Sequence, residues 1–232
     1  MDRAKLRLEP HTGLTEPTTP ELPTLTPGVT RLVCEGRAVG PLDSLVLDHL
    51  LGTSGQAVWV DTGGHATTQS LARLAPTLSL LERLRVARAF TPYQHHTLLR
   101  RATDACPHDA GLVVVPWVDA AYREGGCSDR EAGRLLEAGL DRLATLAAER
   151  ELAVLVTTQT IDGLSASIAE RADTTLSCRT TRFGPRFVGD GFETLVYESG
   201  GAVQTTLAFW ARVLERRQLV HAAGGGTVAG VA

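Results

Sequence analysis

TRLVCEGRAVGPLDS, Thr30 to Ser44, is the stretch that decides how this chain is read. It predicts a strand, a glycine-containing turn and the start of a helix. That is the setting in which G-x-x-x-x-G-K-[ST] cradles nucleotide phosphates with backbone N–H groups, a lysine and a hydroxyl. Counted from Gly36, the pattern reads G-R-A-V-G-P-L-D. Pro41 stands at the second glycine, Leu42 at the lysine and Asp43 at the hydroxyl. Taking Gly40 as the second glycine puts Pro41 at the lysine. Lys5 is the only lysine among 23 basic residues, so none lies near enough to substitute. The stretch is either an ordinary strand–turn–helix or a phosphate frame without its chemistry.

Outward from that stretch the chain alternates strands and helices. Arg85–Phe90 reads as a strand, and Ala57–Asp61 (AVWVD), Gly111–Val115 (GLVVV) and Leu152–Thr157 (LAVLVT) are apolar and strand-like. Runs of this kind suit a parallel sheet covered on both faces. Helices are expected from Pro41 to about Gly52, from Pro92 to about Ala105, and from Ser128 to about Glu149. The last opens on the capping box S-D-R-E and carries Leu136, Leu140, Leu143 and Ala147 on one stripe. Beyond Asp173, four further strands are expected as an antiparallel meander, at 174–180, 186–188, 194–198 and 203–210. The fold class is therefore α/β, a three-layer sandwich around a mostly parallel sheet with antiparallel C-terminal strands. A Pro/Thr-rich arm is expected over 1–28, the core over 29–212 and a flexible tail over 213–232.

Composition narrows the function. The net charge of −3 gives no global attraction to polyanions, so any nucleic-acid contact needs a local patch. The four cysteines are far apart in sequence, with no C-x-x-C, which argues against a zinc site and a disulfide framework. With no signal-like apolar core or 18-residue apolar run, a cytoplasmic protein with no membrane association is expected. His95 and His96 read as an exposed pair. Asp61 ends a strand at the sheet edge where open α/β folds bind ligands, or serves there as a turn cap.

The order of segments resembles the core of the RecA/RadA recombinase family over roughly Gly28 to Trp210. WVDTGG (Trp59–Gly64) is similar to its strand ending D-T-E-G. RLRVARAFTPYQHHTLL (Arg83–Leu99) is similar to I-x-V-A-R-A-Y-x-x-x-H-Q. GLVVVPWVDAAYR (Gly111–Arg123) resembles L-x-V-V-D-S-V-x-A-L-x-R, and LAVLVTTQ (Leu152–Gln159) resembles V-x-x-T-N-Q; ERAD before a strand (Glu170–Asp173) continues the order. The resemblance implies a RecA-like fold with nucleotide at Gly36, Gly40 and the residues after it. It also locates what is missing. Leu42 and Asp43 replace the lysine and hydroxyl, Pro116 the magnesium-orienting aspartate, and Gly63 the glutamate that activates water. Gln159 alone keeps its type.

Loss of cation, metal ligand and base together implies a pseudo-ATPase with no catalytic residues, no metal site and no cofactor. The implied role is that of a non-catalytic paralogue that assists or regulates recombinational DNA repair through contacts with an active recombinase or related repair protein. The alternative is a nucleotide sensor or residual ATPase regulator, binding ATP and magnesium through Gly36, Gly40 and Gln159. Arg123, Arg179, Arg182 and Arg186 are candidate contacts for DNA, weakly, or for a partner; a solvated hairpin with arginine stems over apolar surface is the plainer reading of the last three. No F-x-x-A element that links subunits in the family is evident in the N-terminal arm.

Overall fold

The computed structural model describes residues 22–34, 39–64, 66–158, 160, 162–181, 184–189, 192–193 and 206–224. An eight-stranded sheet runs through the middle. Its strands are β1 (Gly28–Cys34), β2 (Gln56–Thr62), β3 (Leu84–Ala89), β4 (Ala110–Val115), β5 (Ala153–Thr157), β6 (Thr174–Thr181), β7 (Gly184–Gly189) and β8 (Phe192–Glu193). In space they lie in the order β3-β2-β4-β5-β1-β6-β7-β8. The first six are parallel, and β7 and β8 run antiparallel.

The continuous apolar runs explain the layers. In β2 and β5 alternate residues serve opposite faces. Ala57, Trp59, Ala153 and Leu155 enter one apolar cluster, and Val58, Val60, Val154 and Val156 enter the other. The helices are α1 (Val39–Gly52), α2 (Thr68–Leu74), α3 (Pro92–Asp104), α4 (Asp129–Arg150), α5 (Gly163–Glu170) and α6 (Thr206–Gly224). α1, α2 and α6 cover the first face; α3, α4 and α5 cover the second. A 3-10 turn, Leu78–Arg83, leads into β3.

Local chemistry sets the helix starts. Thr91 accepts a hydrogen bond from the Gln94 amide at 3.2 Å, and Pro92 opens α3 where its missing N–H costs nothing. Ser128 caps α4 through the Glu131 amide. Asp162 caps α5 through the amides of Leu164 and Ser165.

The C-terminal region corrects the sequence reading. The strand expected at 203–210 and the tail expected from 213 are replaced by α6, which spans that boundary. Trp210, Val213 and Leu214 are buried. Arg217 and His221 continue the same face and reach Asp48 on α1, with Arg217 Nη2 at 2.8 Å and His221 Nε2 at 3.2 Å. These positions recur at helical spacing, and the Asp48 clamp holds the helix down. Of the expected arm, residues 22–27 are described, and Leu22 and Leu25 are buried in the same cluster as α1 and α6. The strand expected at 194–198 lies outside the described residues.

Candidate functional site

In an open α/β sheet, ligands bind at the C-terminal ends of the parallel strands. Here β1, β2, β4 and β5 end at Cys34, Thr62, Val115 and Thr157. Gly36 and Gln159 lie outside the described residues. α1 begins at Val39, so Gly40, Pro41 and Leu42 all fall in its first turn, where the proline's missing N–H is tolerated.

Leu42 and Asp43 are both turned into the interior. Leu42 is 2% exposed and packs in the core, and Asp43 is 0% exposed. Neither oxygen of Asp43 makes a hydrogen bond of ordinary geometry, although the Ser70 hydroxyl acts on the carboxyl. Burial pushes its carboxyl up to about 7, with the Ser70 hydroxyl pulling it back down. Gly40 lies against the indole of Trp210, whose Nε1 would be 3.0 Å from a Cβ placed there. Trp210 in turn packs on Phe187 at a ring separation of 5.6 Å. Thus α6 covers the first turn of α1 with an aromatic ring.

The remaining positions are rebuilt. Gly63 and Gly64 have φ of 76° and 78°, a left-handed turn that a glutamate would enter only with strain. Pro116 is buried at the end of β4, followed by Trp117 at φ 45°. That turn is held across three strand ends. Thr157 Oγ1 accepts from the Trp117 amide at 2.8 Å, and Thr62 Oγ1 donates to the Trp117 carbonyl at 3.4 Å. The nearest following carboxylate, Asp119, is fully buried and bound to Arg123 Nη2 at 2.6 Å. Sequence reasoning missed this displaced acid; its signal was the i, i+4 spacing of Asp119 and Arg123.

Arg123 is therefore committed internally. Its guanidinium also meets Asp162 at 2.5 and 2.8 Å, bridging the segments after β4 and β5. The Arg123 hydrogen bond holds the Asp162 carboxyl down at about 2, and the same bond pushes Arg123 further above its ordinary value. Arg179 and Arg186 are brought together, directly opposite across β6 and β7, and Arg186 pairs with Glu193 at 2.5 Å. Arg182 lies outside the described residues. Asp61 is buried, takes Arg88 Nε at 2.8 Å and accepts from the Ala66 amide at 3.3 Å. The cap reading of Asp61 is the one its geometry favours.

The exposed histidine pair is a further correction. His95 is fully buried, with Nδ1 3.0 Å from the Tyr122 hydroxyl and Nε2 without a partner. Burial pushes it down to about 4. His96 is half-buried, its Nδ1 3.2 Å from the Leu135 carbonyl oxygen. Pro92 starts α3 in a frame that turns position 95 toward α4 and Tyr122.

At the opposite end of the sheet, among the described residues, β3 pairs on one side only. β3 is an edge strand, and Val86, Phe90 and Tyr93 are 47%, 79% and 47% exposed. A shallow groove of about 380 Å³ runs between β3 and α3, lined by Arg88, Phe90, Tyr93, Gln94, Thr97, Leu98 and Arg101.

Sheet order, layering and rebuilt strand ends define a RecA-like domain. The family model Rad51 matches residues 42–176, more than half of the chain. The chain belongs to the Rad51 family of RecA/RadA-type recombinase domains, which places it with the recombination and repair proteins. The match begins after Pro41, downstream of the glycine turn, and ends within β6. No curated protein matches the chain. The family implies magnesium and a nucleoside triphosphate. The described positions offer that group a core leucine, a buried carboxyl, a left-handed glycine and a proline, and these do not fit it. Among the described residues, no helix is long and apolar enough to cross a membrane.

Proposed function

We propose that this protein is a pseudo-ATPase of the Rad51 family that works by association, assisting or regulating an active recombinase or related repair protein. The observation that carries the reading is the Trp210 indole packed over Gly40, with Leu42 and Asp43 turned into the core beside it. Phosphoryl transfer needs a cation at the transferring group, a positioned metal and an oriented water. The residues at those places are Leu42, Pro116 and Gly63.

The open edge supports association. An edge strand presents unpaired backbone donors and acceptors, a template for an added strand from another chain. Exposed Val86, Phe90 and Tyr93 supply apolar side-chain contacts beside it. Any DNA contact in this reading belongs to the β6–β7 arginines Arg179, Arg182 and Arg186, of which Arg186 would exchange its Glu193 partner for phosphate, rather than to Arg123, which two acids hold.

The test is co-purification of the tagged protein from native lysate, with Val86→Asp and Phe90→Asp as paired variants. The expected result is a recombinase or repair protein captured by the wild type and lost from both variants, each still folded by circular dichroism. Long filaments formed by the purified protein alone, with no such protein captured, would overturn the reading.

A further inference from the structure

Cys34 and Cys178 are 144 positions apart in sequence and neighbours in the sheet. Cys34 is the last residue of β1, and in the parallel β1–β6 ladder its partner is Cys178. Both side chains belong to the apolar cluster on the α1/α6 face, so they project the same way. Neither is in a disulfide here. Adjacent strands lie about 4.8 Å apart. A disulfide tolerates Cα separations of roughly 4.4–6.8 Å and brings the Cβ atoms to about 3.8 Å. The bond therefore needs an approach of only about 1 Å between strands already paired.

The local pairing permits that approach. Among the described residues, β1 pairs with β5 only as far as Leu32–Thr157, whereas its pairing with β6 continues to Cys34. Among the described residues, the pairing at Cys34 is with β6. Cys178 is fixed more firmly, at 3% exposure and opposite the fully buried Phe187 of β7. Cys34 is half-buried and is the thiol that solvent reaches.

We propose that Cys34 and Cys178 form a reversible redox pair, with Cys34 the sulfur oxidised first and Cys178 the resolving one. The oxidant class is a peroxide. The Cys34 thiolate attacks one peroxide oxygen, the O–O bond breaks, and with a proton the leaving oxygen departs as water, giving a sulfenic acid. The Cys178 sulfur then attacks the Cys34 sulfur. The S–O bond breaks, the hydroxyl leaves as water with the Cys178 proton, and the disulfide forms. Two thiols lose one electron each, and one peroxide is reduced to two waters. The product ties β1 to β6 immediately before residue 35, beneath the Phe187–Trp210 contact. A thiol donor reverses it. In a reducing compartment the pair rests as thiols, the usual condition for a redox-sensing rather than a structural disulfide.

The experiment is peroxide titration of the full-length protein, followed by alkylation and a non-reducing tryptic map. The expected product is peptide 32–37 (LVCEGR) linked to peptide 172–179 (ADTTLSCR), with a rise in Tm of about 5 °C that dithiothreitol reverses. In Cys178→Ala the same treatment leaves Cys34 as a sulfenic acid, trapped by dimedone, with no rise in Tm. The proposal is overturned if wild-type Cys34 couples to Cys106, Cys127 or a second chain. It is equally overturned if Cys34 proceeds to sulfinic acid, or resists peroxide, while Cys178 stays a thiol.

Discussion

The first turn of α1 and the edge of β3 sit in one sheet-based fold and have been treated in opposite ways. At the first, the interior has closed: Leu42 is in the core, Asp43 is buried, and Trp210 covers Gly40. At the second, Val86, Phe90 and Tyr93 face solvent beside the outer edge of β3, which among the described residues pairs with β2 alone. Apolar surface left exposed at a strand edge is an aggregation hazard unless something uses it. The contrast teaches that a fold's chemistry and its surfaces can be lost independently. In the proposed function the place for reactive groups has become core, while the exposed edge is where another chain would add.

Substitutions at the two places should differ by an order of magnitude in stability. Trp210→Ala removes a 1%-exposed ring from between α1 and β7. It should cost about 4 kcal/mol in denaturant unfolding, as other large-to-small core changes do. A loss under about 1 kcal/mol would mean that α6 is not part of the core. Arg123→Ala leaves Asp119 buried and without its arginine. About 3 kcal/mol should be lost, discounted somewhat for the arginine's partial exposure. An unchanged midpoint would show that the bridge between the segments after β4 and β5 is ornamental.

Asp43→Asn probes the closed region by pH. The folded carboxyl titrates near 7 and the unfolded one near 3.8, so the folded chain holds a proton that the unfolded chain has lost between those values. Stability should therefore fall as pH rises from about 4 to about 7. The asparagine variant lacks this fall. It should be more stable than the wild type at pH 8, by on the order of 2 kcal/mol, and equal to it or weaker below pH 4. His95 acts in the opposite sense, losing stability as pH falls from 6.5 toward 4, so the wild-type-minus-variant difference is the quantity to follow. A difference independent of pH would remove Asp43 as a buried acid. The smallest effect belongs to the open edge. Phe90→Ala should change stability by less than about 0.5 kcal/mol while abolishing partner capture. A large loss of stability would make Phe90 a core residue after all.

Much of the fold was legible in the sequence because parallel strands buried on both faces write themselves as unbroken apolar runs. GLVVV and LAVLVT needed no tertiary information, and S-D-R-E marked the start of α4. The C-terminal helix was not legible. Its opening residues Thr206, Leu207, Ala208 and Phe209 alternate as a strand would, and the helical face emerges only from Trp210, Val213, Leu214, Arg217 and His221 together with Asp48, far away in sequence. The same limit hid His95, whose burial depends on α4. At the candidate site, the residue types were readable and their directions were not. Leu42 and Pro116 were evident as substitutions. That Asp43 points into the core, that Arg123 is held by two acids, and that a tryptophan 170 positions later covers Gly40 all depend on packing between distant elements.

The proposed pseudo-ATPase role is tested most directly by calorimetric titration with magnesium–ATP, paired with steady-state phosphate release on highly purified wild-type protein. The account predicts no turnover above buffer and no binding tighter than the millimolar range, with Leu42→Lys restoring neither, since Pro116 and Gly63 still supply no metal ligand and no base. Micromolar binding would favour a nucleotide sensor. Phosphate release that follows the protein through purification and disappears in Gln159→Ala would contradict the account, because it would reveal an active site rebuilt from other residues.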